Sequence, residues 1–298
     1  MKSAKNIAIL GGDARYLQMI KQLSKSEDIH IQVVGFDHLN QGYTGVNQVE
    51  MEDLRVSELD AVILPIPGTD DQGFIETTFS DQKIQITPEW LNQLSKHCVV
   101  FSGIANDYLI VNVKKAGVRL VPLMKRNDVA IYNSIPTVEG TIMMAIQHTD
   151  FTIHSSNVVV LGLGRVGMSV ASKFSALGAK VFVGSRKKED IARSTEMGLE
   201  GFHMNQLSSY TPNCDILINT VPAKIVTDDV IKPMMAHALI IDLASKPGGT
   251  DFEYADKRGI KAIHALGLPG IVAAKTAGEI LGTVIEQVLK EHQEERGL

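Results

Sequence analysis

Apolar positions along this chain follow two spacings that alternate from one end to the other. Short, nearly continuous apolar runs rich in Val and Ile fall at 7–10, 31–34, 61–64, 99–101 and 118–121, and again at 158–161, 180–183, 216–218, 239–241 and 262–263. Between them lie segments with helical spacing, such as Tyr16, Leu17, Ile20 and Leu23, or 88–94 with Pro88 in its first turn. Runs that are apolar at every position, not only at alternate ones, predict parallel strands covered on both faces. The pattern therefore predicts an α/β protein with two doubly wound, Rossmann-like parallel-sheet domains and an interdomain cleft.

The predicted domains are 1–150, a substrate or partner domain, and 151–298, a nucleotide-binding domain. The segment from Ser134 to Gly140 reads as the join, leading into a helix that starts near Thr141, with Glu139 early in it. A polar loop at 150–157 follows. At the C-terminal end, Val272, Thr276, Ile280, Val284 and Val288 mark one stripe of a long helix whose length allows it to return to the first domain.

With 298 residues, 44% hydrophobic and 21% charged, the chain has ordinary globular composition, which excludes a mainly disordered protein. Lys plus Arg number 29 against 34 Asp plus Glu, so no basic excess points to nucleic acid or an anionic membrane. The first apolar run is too short for a signal peptide, and no window approaches the ~18 uninterrupted apolar residues of a membrane span. A cytoplasmic protein is expected. Cys98 and Cys214 each sit beside an apolar run and read as core thiols.

The strongest chemical signal is the run Gly162-Leu163-Gly164-Arg165-Val166-Gly167, which follows the strand at 158–161 and opens a segment with Val170, Phe174 and Leu177 at helical spacing. Gly162 suits a tight turn, Gly164 lets the backbone approach a pyrophosphate, and Gly167 lets helix pack on strand. The helix N-terminus, with Arg165 and Val166 in its first turn, then faces the phosphates. Because the motif sits between two strands about thirty residues apart, it predicts a dinucleotide site. An NAD site usually closes the second strand with Asp or Glu. Here the residues are Ser185, Arg186, Lys187 and Lys188, a hydroxyl and three cations with no carboxylate among them, and NADP is the predicted cofactor.

Two later strand ends should line the same site. Thr220, Val221 and Pro222 are expected beside the nicotinamide ribose, and Asp242, Leu243 and Ala244, continuing to Lys246, beside the nicotinamide. His264 ends the last strand, where it is either a structural histidine or a proton carrier. Arg15, after the Gly11-Gly12-Asp13 turn, and the pair Lys125-Arg126 are candidates for holding an acidic substrate; Lys275 is a weaker one. No metal-ligand pairing of histidines, no C-x-x-C and no G-x-S-x-G elbow occur.

These residues resemble the A subunits of dipicolinate synthase, enzymes of sporulating bacteria, along essentially the whole chain. The resemblance rests on the opening from Asn6 to Arg15, the segment from Ser134 to Gly140, the glycine loop, and the stretch from His264 to Gly270. It implies dehydrogenation of dihydrodipicolinate, a small dicarboxylate of the lysine pathway, to aromatic dipicolinate with NADP as hydride acceptor. It also implies a hetero-oligomer with a B subunit similar to flavin-binding proteins. Arg15, Lys125, Arg126, Lys246 and His264 are then the catalytic candidates. The second half is also similar to the cofactor domain of D-2-hydroxyacid dehydrogenases, whose catalytic Arg–Glu–His set finds no match here. An NADP-dependent oxidoreductase acting on another small acid and a non-catalytic nucleotide-binding protein remain the alternatives.

Overall fold

The computed structural model describes residues 4–39 and 46–296. They form two compact units, Met1–Tyr132 with Ala273–Leu298, and Asn133–Val272. The first unit contains β1 (Lys5–Leu10), α1 (Ala14–Leu23), β2 (Ile29–Val34), β3 (Val46–Gln48), β4 (Ala61–Ile63), α2 (Pro88–Asn92), β5 (Val99–Ser102), α3 (Asp107–Ala116) and β6 (Arg119–Pro122). Helix α4 (Asn127–His148) carries the chain into the second unit. There follow β7 (Asn157–Leu161), α5 (Arg165–Ala176), β8 (Lys180–Ser185), α6 (Lys188–Glu196), β9 (Glu200–His203), α7 (Leu207–Tyr210), β10 (Ile216–Asn219), α8 (Asp228–Ile231), β11 (Leu239–Asp242), α9 (Phe252–Lys257), β12 (Lys261–His264) and α10 (Leu268–Val272). Helix α11 (Ala274–Glu295) belongs to the first unit again.

Each unit is built on a six-stranded parallel sheet. The orders are β3-β2-β1-β4-β5-β6 and β12-β11-β10-β7-β8-β9, the same doubly wound 3-2-1-4-5-6 arrangement twice. Strand alternation explains the all-apolar runs. In β1, Ile7 and Ile9 join one core with Tyr16 of α1 and Leu281 of α11, while Ala8 and Leu10 join another with Leu91 of α2 and Leu109 of α3. In β7, Val158 and Val160 pack with Val138 of α4 and Val170 of α5, and Val159 and Leu161 pack with Val230 of α8. The central strands of both sheets are buried on both faces, as the runs predict.

The pattern missed two outer strands. β3 is half-exposed or exposed throughout, and β9 buries only Phe202 of its four residues. Edge strands with so little apolar content leave almost no periodic signal. The predicted join is also corrected. Residues 134–140 are not a connector before a helix; they lie inside the 22-residue α4, with Pro136 in its interior. A proline takes one N–H out of the helical ladder. Thr137 donates its hydroxyl to the Asn133 carbonyl at 2.7 Å, and Thr141 does the same to Thr137 at 2.8 Å. The division between units falls within this helix, at Tyr132–Asn133.

The last helical segment also differs from its prediction. Ala273, at φ −147° and ψ 52°, separates α10 from α11. The buried face of α11 is Ala277, Gly278, Leu281, Gly282, Val284, Ile285, Val288 and Leu289; Thr276 is exposed and Ile280 half-buried. Two glycines on that face bring α11 against α1. A Cβ on Gly278 would meet the Arg15 carbonyl oxygen at 2.1 Å, and one on Gly282 would meet the Gln22 side chain at 3.1 Å.

Candidate functional site

In the second unit, β7 and β10 are adjacent, and from them the sheet grows in opposite directions. The carboxyl ends on either side of this switch are where doubly wound sheets hold ligands. Registers align Leu161 with Gly184 and with Asn219, Asn219 with Asp242, and Asp242 with His264. The glycine loop, the Ser185 turn, the Thr220 turn, the Asp242 loop and His264 therefore all leave the same edge of one sheet.

The glycines of the loop play distinct parts. Gly162 has φ +88°, and a Cβ there would lie 2.7 Å from the Thr220 hydroxyl oxygen. Gly167 is buried, and its Cβ would stand 2.1 Å from the Gly162 carbonyl oxygen. Gly164 has ordinary extended dihedrals and nothing within 4 Å of the added Cβ. Two glycines thus close the turn upon itself, while the middle one leaves space open above the backbone. Helix α5 begins there with no side-chain cap, and Met168 N–H bonds the Gly164 carbonyl. An uncapped helix start beneath open space fits the pyrophosphate of a dinucleotide.

The matching turn of the first unit does not have this opening. A Cβ on Gly11 would meet the Glu76 carbonyl oxygen at 2.5 Å, and one on Gly12 the Tyr16 ring at 2.5 Å. Asp13 caps α1 there by accepting the Arg15 N–H at 3.0 Å.

Thr220 donates its hydroxyl to the Leu161 carbonyl at 2.7 Å, tying the β10 turn to the glycine loop. Val221 is half-buried and Pro222 exposed. Asn219, fully buried, holds the turn from below: its carbonyl oxygen accepts the Val221 N–H at 3.0 Å, and its amide donates to the Val221 carbonyl at 3.1 Å. The same amide donates to Asp242 at 3.0 Å.

Asp242 is itself fully buried. Its carboxylate also accepts the Ala244 N–H at 3.0 Å, the Gly249 N–H at 2.8 Å and the Thr250 hydroxyl at 2.7 Å. Asp242 and Ala244, expected beside a nicotinamide, are both buried and engaged with their own loop; Leu243 is half-buried. His264 completes the arrangement. Its Nε2 lies 2.9 Å from the Ala244 carbonyl, which can only accept, so this nitrogen bears the proton. The imidazole stacks on Phe252 with centroids 5.4 Å apart. A hydroxyl, two backbone N–H groups and an amide thus hold one carboxylate, which fixes the loop leading to the exposed Lys246.

At the end of β8, Arg186, Lys187 and Lys188 are exposed, and Ser185 is buried. The strand end is not free of carboxylates, as the residues 184–188 alone suggested. The Ser185 hydroxyl donates to Asp190 Oδ2 at 2.7 Å.

A family model for the N-terminal domain of the dipicolinate synthase A subunit matches residues 6–124, and one for the alanine dehydrogenase/PNT C-terminal domain matches residues 132–298. The chain is 50% identical to the A subunit of dipicolinate synthase from Bacillus subtilis over the whole of both chains. It belongs to the family of dipicolinate synthase A subunits. The solved structure of the Bacillus halodurans member is 54% identical, with a TM-score of 0.93 over 97% of this chain and 99% of that one. The transhydrogenase of Sinorhizobium meliloti, 15% identical with a TM-score of 0.65 over 95% of this chain and 94% of that one, shares the fold.

In this member of the dipicolinate synthase family, the predicted cations divide between the units. Lys246 and His264 belong to the second; Arg15, Lys125, Arg126 and Lys275 to the first. Arg15 and Arg126 are each gripped by an aspartate two residues away. Arg15 donates Nε and Nη2 to both oxygens of Asp13, and Arg126 donates Nη2 to Asp128 at 2.7 Å. Burial alone would push the Asp13 carboxyl up, but the Arg15 bonds and charge hold it below the usual range. The Arg126 hydrogen bond likewise holds Asp128 down. Among the described residues, Lys125, Lys246 and Lys275 are exposed and make no ion pair. Cys98 and Cys214 are buried, which pushes both thiols up to about 12 and makes them inert core residues. Sequence reasoning named Asn219 only as the start of its turn, without its bond to Asp242, and missed the contacts of Thr250 and Asp190. An Asn closing an apolar strand and an Asp in the first turn of α6 were the available signals.

Proposed function

We propose that this chain dehydrogenates dihydrodipicolinate to dipicolinate, with NADP as hydride acceptor and in complex with a flavoprotein-like B subunit. Family membership supports the reaction class, and the open space above Gly164 is the observation that carries nucleotide binding by this chain. The loop from Gly162 to Gly167 and the start of α5, with Arg165 and Val166, would hold the pyrophosphate. Arg186 and Lys187 would hold the 2′-phosphate, and the turn from Thr220 to Pro222 would run beside the nicotinamide ribose. NADP, when bound, supplies the hydride acceptor, and ring aromatisation drives the transfer.

The protein's own task is then positional. Asp242 and Asn219 fix the loop that presents Leu243 and Lys246, and His264 fixes it from the other side through Ala244. Of the cations among the described residues, Lys246, Lys125 and Lys275 make no ion pair, while Arg15 and Arg126 are paired with their aspartates. Each is a candidate to hold a substrate carboxylate, the three lysines ahead of the two arginines.

The test supplies the purified chain, with and without its B subunit, with dihydrodipicolinate and NADP. NADPH absorbance should rise in step with dipicolinate. If neither mixture yields NADPH while dipicolinate forms, the hydride passes elsewhere and the proposal fails.

A further inference from the structure

The preference for NADP rests on the cations after β8, yet this strand end holds an opposing charge. Ser185 is 5% exposed, and its single hydroxyl proton points to Asp190 Oδ2 at 2.7 Å; its oxygen accepts the Lys187 N–H at 3.2 Å. With that proton committed, Ser185 has nothing to donate to a phosphate. Asp190 is held in place as well. It sits in the first turn of α6, and its carbonyl accepts the Ser194 hydroxyl at 2.9 Å. Arg193, on the same helix, pairs with Glu196 instead.

We infer that Asp190 sets the margin by which this site prefers NADP over NAD, an inference that rests on the nucleotide reading above. The residue is not at the strand end, where an NAD-type carboxylate stands; it reaches that end through Ser185, five residues earlier. A fixed carboxylate there repels a 2′-phosphate and can accept a proton from a ribose 2′-hydroxyl. Arg186 and Lys187 pull the other way. The site therefore takes both nicotinamide dinucleotides, with a preference for NADP that Asp190 keeps small.

Titration of NADPH and NADH, by fluorescence, into the whole chain and its Asp190→Asn and Ser185→Ala variants tests this. Asn keeps an oxygen for the Ser185 hydroxyl and removes only the charge. In Asp190→Asn the ratio of NADH to NADPH dissociation constants should rise about three- to ten-fold. That gain should shrink as salt is raised. In Ser185→Ala the charge stays, and the ratio should not rise. An unchanged ratio in Asp190→Asn, or an equal rise in Ser185→Ala, overturns the inference while leaving the nucleotide reading intact. Failure of the unsubstituted chain to bind either nucleotide overturns both.

Discussion

The Thr250 hydroxyl donates to Asp242 Oδ2 at 2.7 Å, from a residue eight positions further along the chain. Between them runs the loop that carries Lys246 and follows the fifth strand of the nucleotide-type sheet. Because Asp242 is fully buried and each of its oxygens accepts two donors, the loop is held by one side chain.

Asp242→Asn should therefore be costly despite its matching shape. With the new amide nitrogen on the Oδ2 side, the Thr250 hydroxyl can turn to accept from it and the Gly249 N–H loses its acceptor; on the Oδ1 side two donors lose theirs. A buried donor left unmade costs ~1–3 kcal/mol, so a loss of at least about 1–3 kcal/mol is expected in urea unfolding. Stability within about 0.5 kcal/mol of the unsubstituted protein would contradict the anchoring role.

The loop glycines should separate binding from folding. Gly164→Ala meets no atom within 4 Å and has dihedrals that alanine adopts, so its unfolding midpoint should hardly move. Its NADPH affinity should fall at least about ten-fold, the cost of a methyl where a pyrophosphate approaches. Gly167→Ala places a carbon 2.1 Å from a carbonyl oxygen and should lower stability by ~1–3 kcal/mol. Calorimetric titration beside thermal melting reads both; full NADPH affinity in Gly164→Ala would remove the argument for the cradle.

Arg186 stands exposed after β8, and its guanidinium can form charge-assisted hydrogen bonds to a phosphate. Arg186→Ala should weaken NADPH binding by about 1.5–3 kcal/mol and leave NADH nearly untouched. Fluorescence titration measures it. Equal affinities for the two nucleotides in the unsubstituted chain would defeat the assignment of this residue to the 2′-phosphate.

Gly278 makes a case where the usual sign reverses. In an exposed helix interior Gly→Ala gains about 1 kcal/mol. Here the Cβ would enter the Arg15 carbonyl at 2.1 Å, so α11 must lift from α1. Overpacking of ~1–3 kcal/mol should win, and Gly278→Ala should lower the urea midpoint. A raised midpoint would mean that the two helices separate without cost.

Much of this was legible beforehand, for a physical reason. Parallel strands buried on both faces have no polar positions, so the runs at 7–10 and 158–161 announce themselves, and Gly162, Gly164 and Gly167 carry a spacing that backbone geometry demands. What stayed hidden depends on side-chain contacts that spacing alone does not show. Ser134 to Gly140, with Pro136, reads as a join until the structure places it inside α4. Asp242 reads as a strand-end ligand until Thr250 and Asn219 surround it. Asp190 lies outside the short window in which a cofactor carboxylate is sought, and only the fold brings it to Ser185.

The seating of α11 on α1 bears on how the polypeptide matures. The first unit is assembled from both ends of the chain, with Leu281, Val284, Ile285, Val288 and Leu289 filling its core. During synthesis its sheet emerges early but lacks the helix that seals one side, and every residue of the second unit must leave the ribosome before that helix arrives. Nascent molecules thus pass through a stage in which the α1 surface at Arg15, Gln18 and Gln22 lacks its cover, and chains cut short ahead of residue 274 would stay in it.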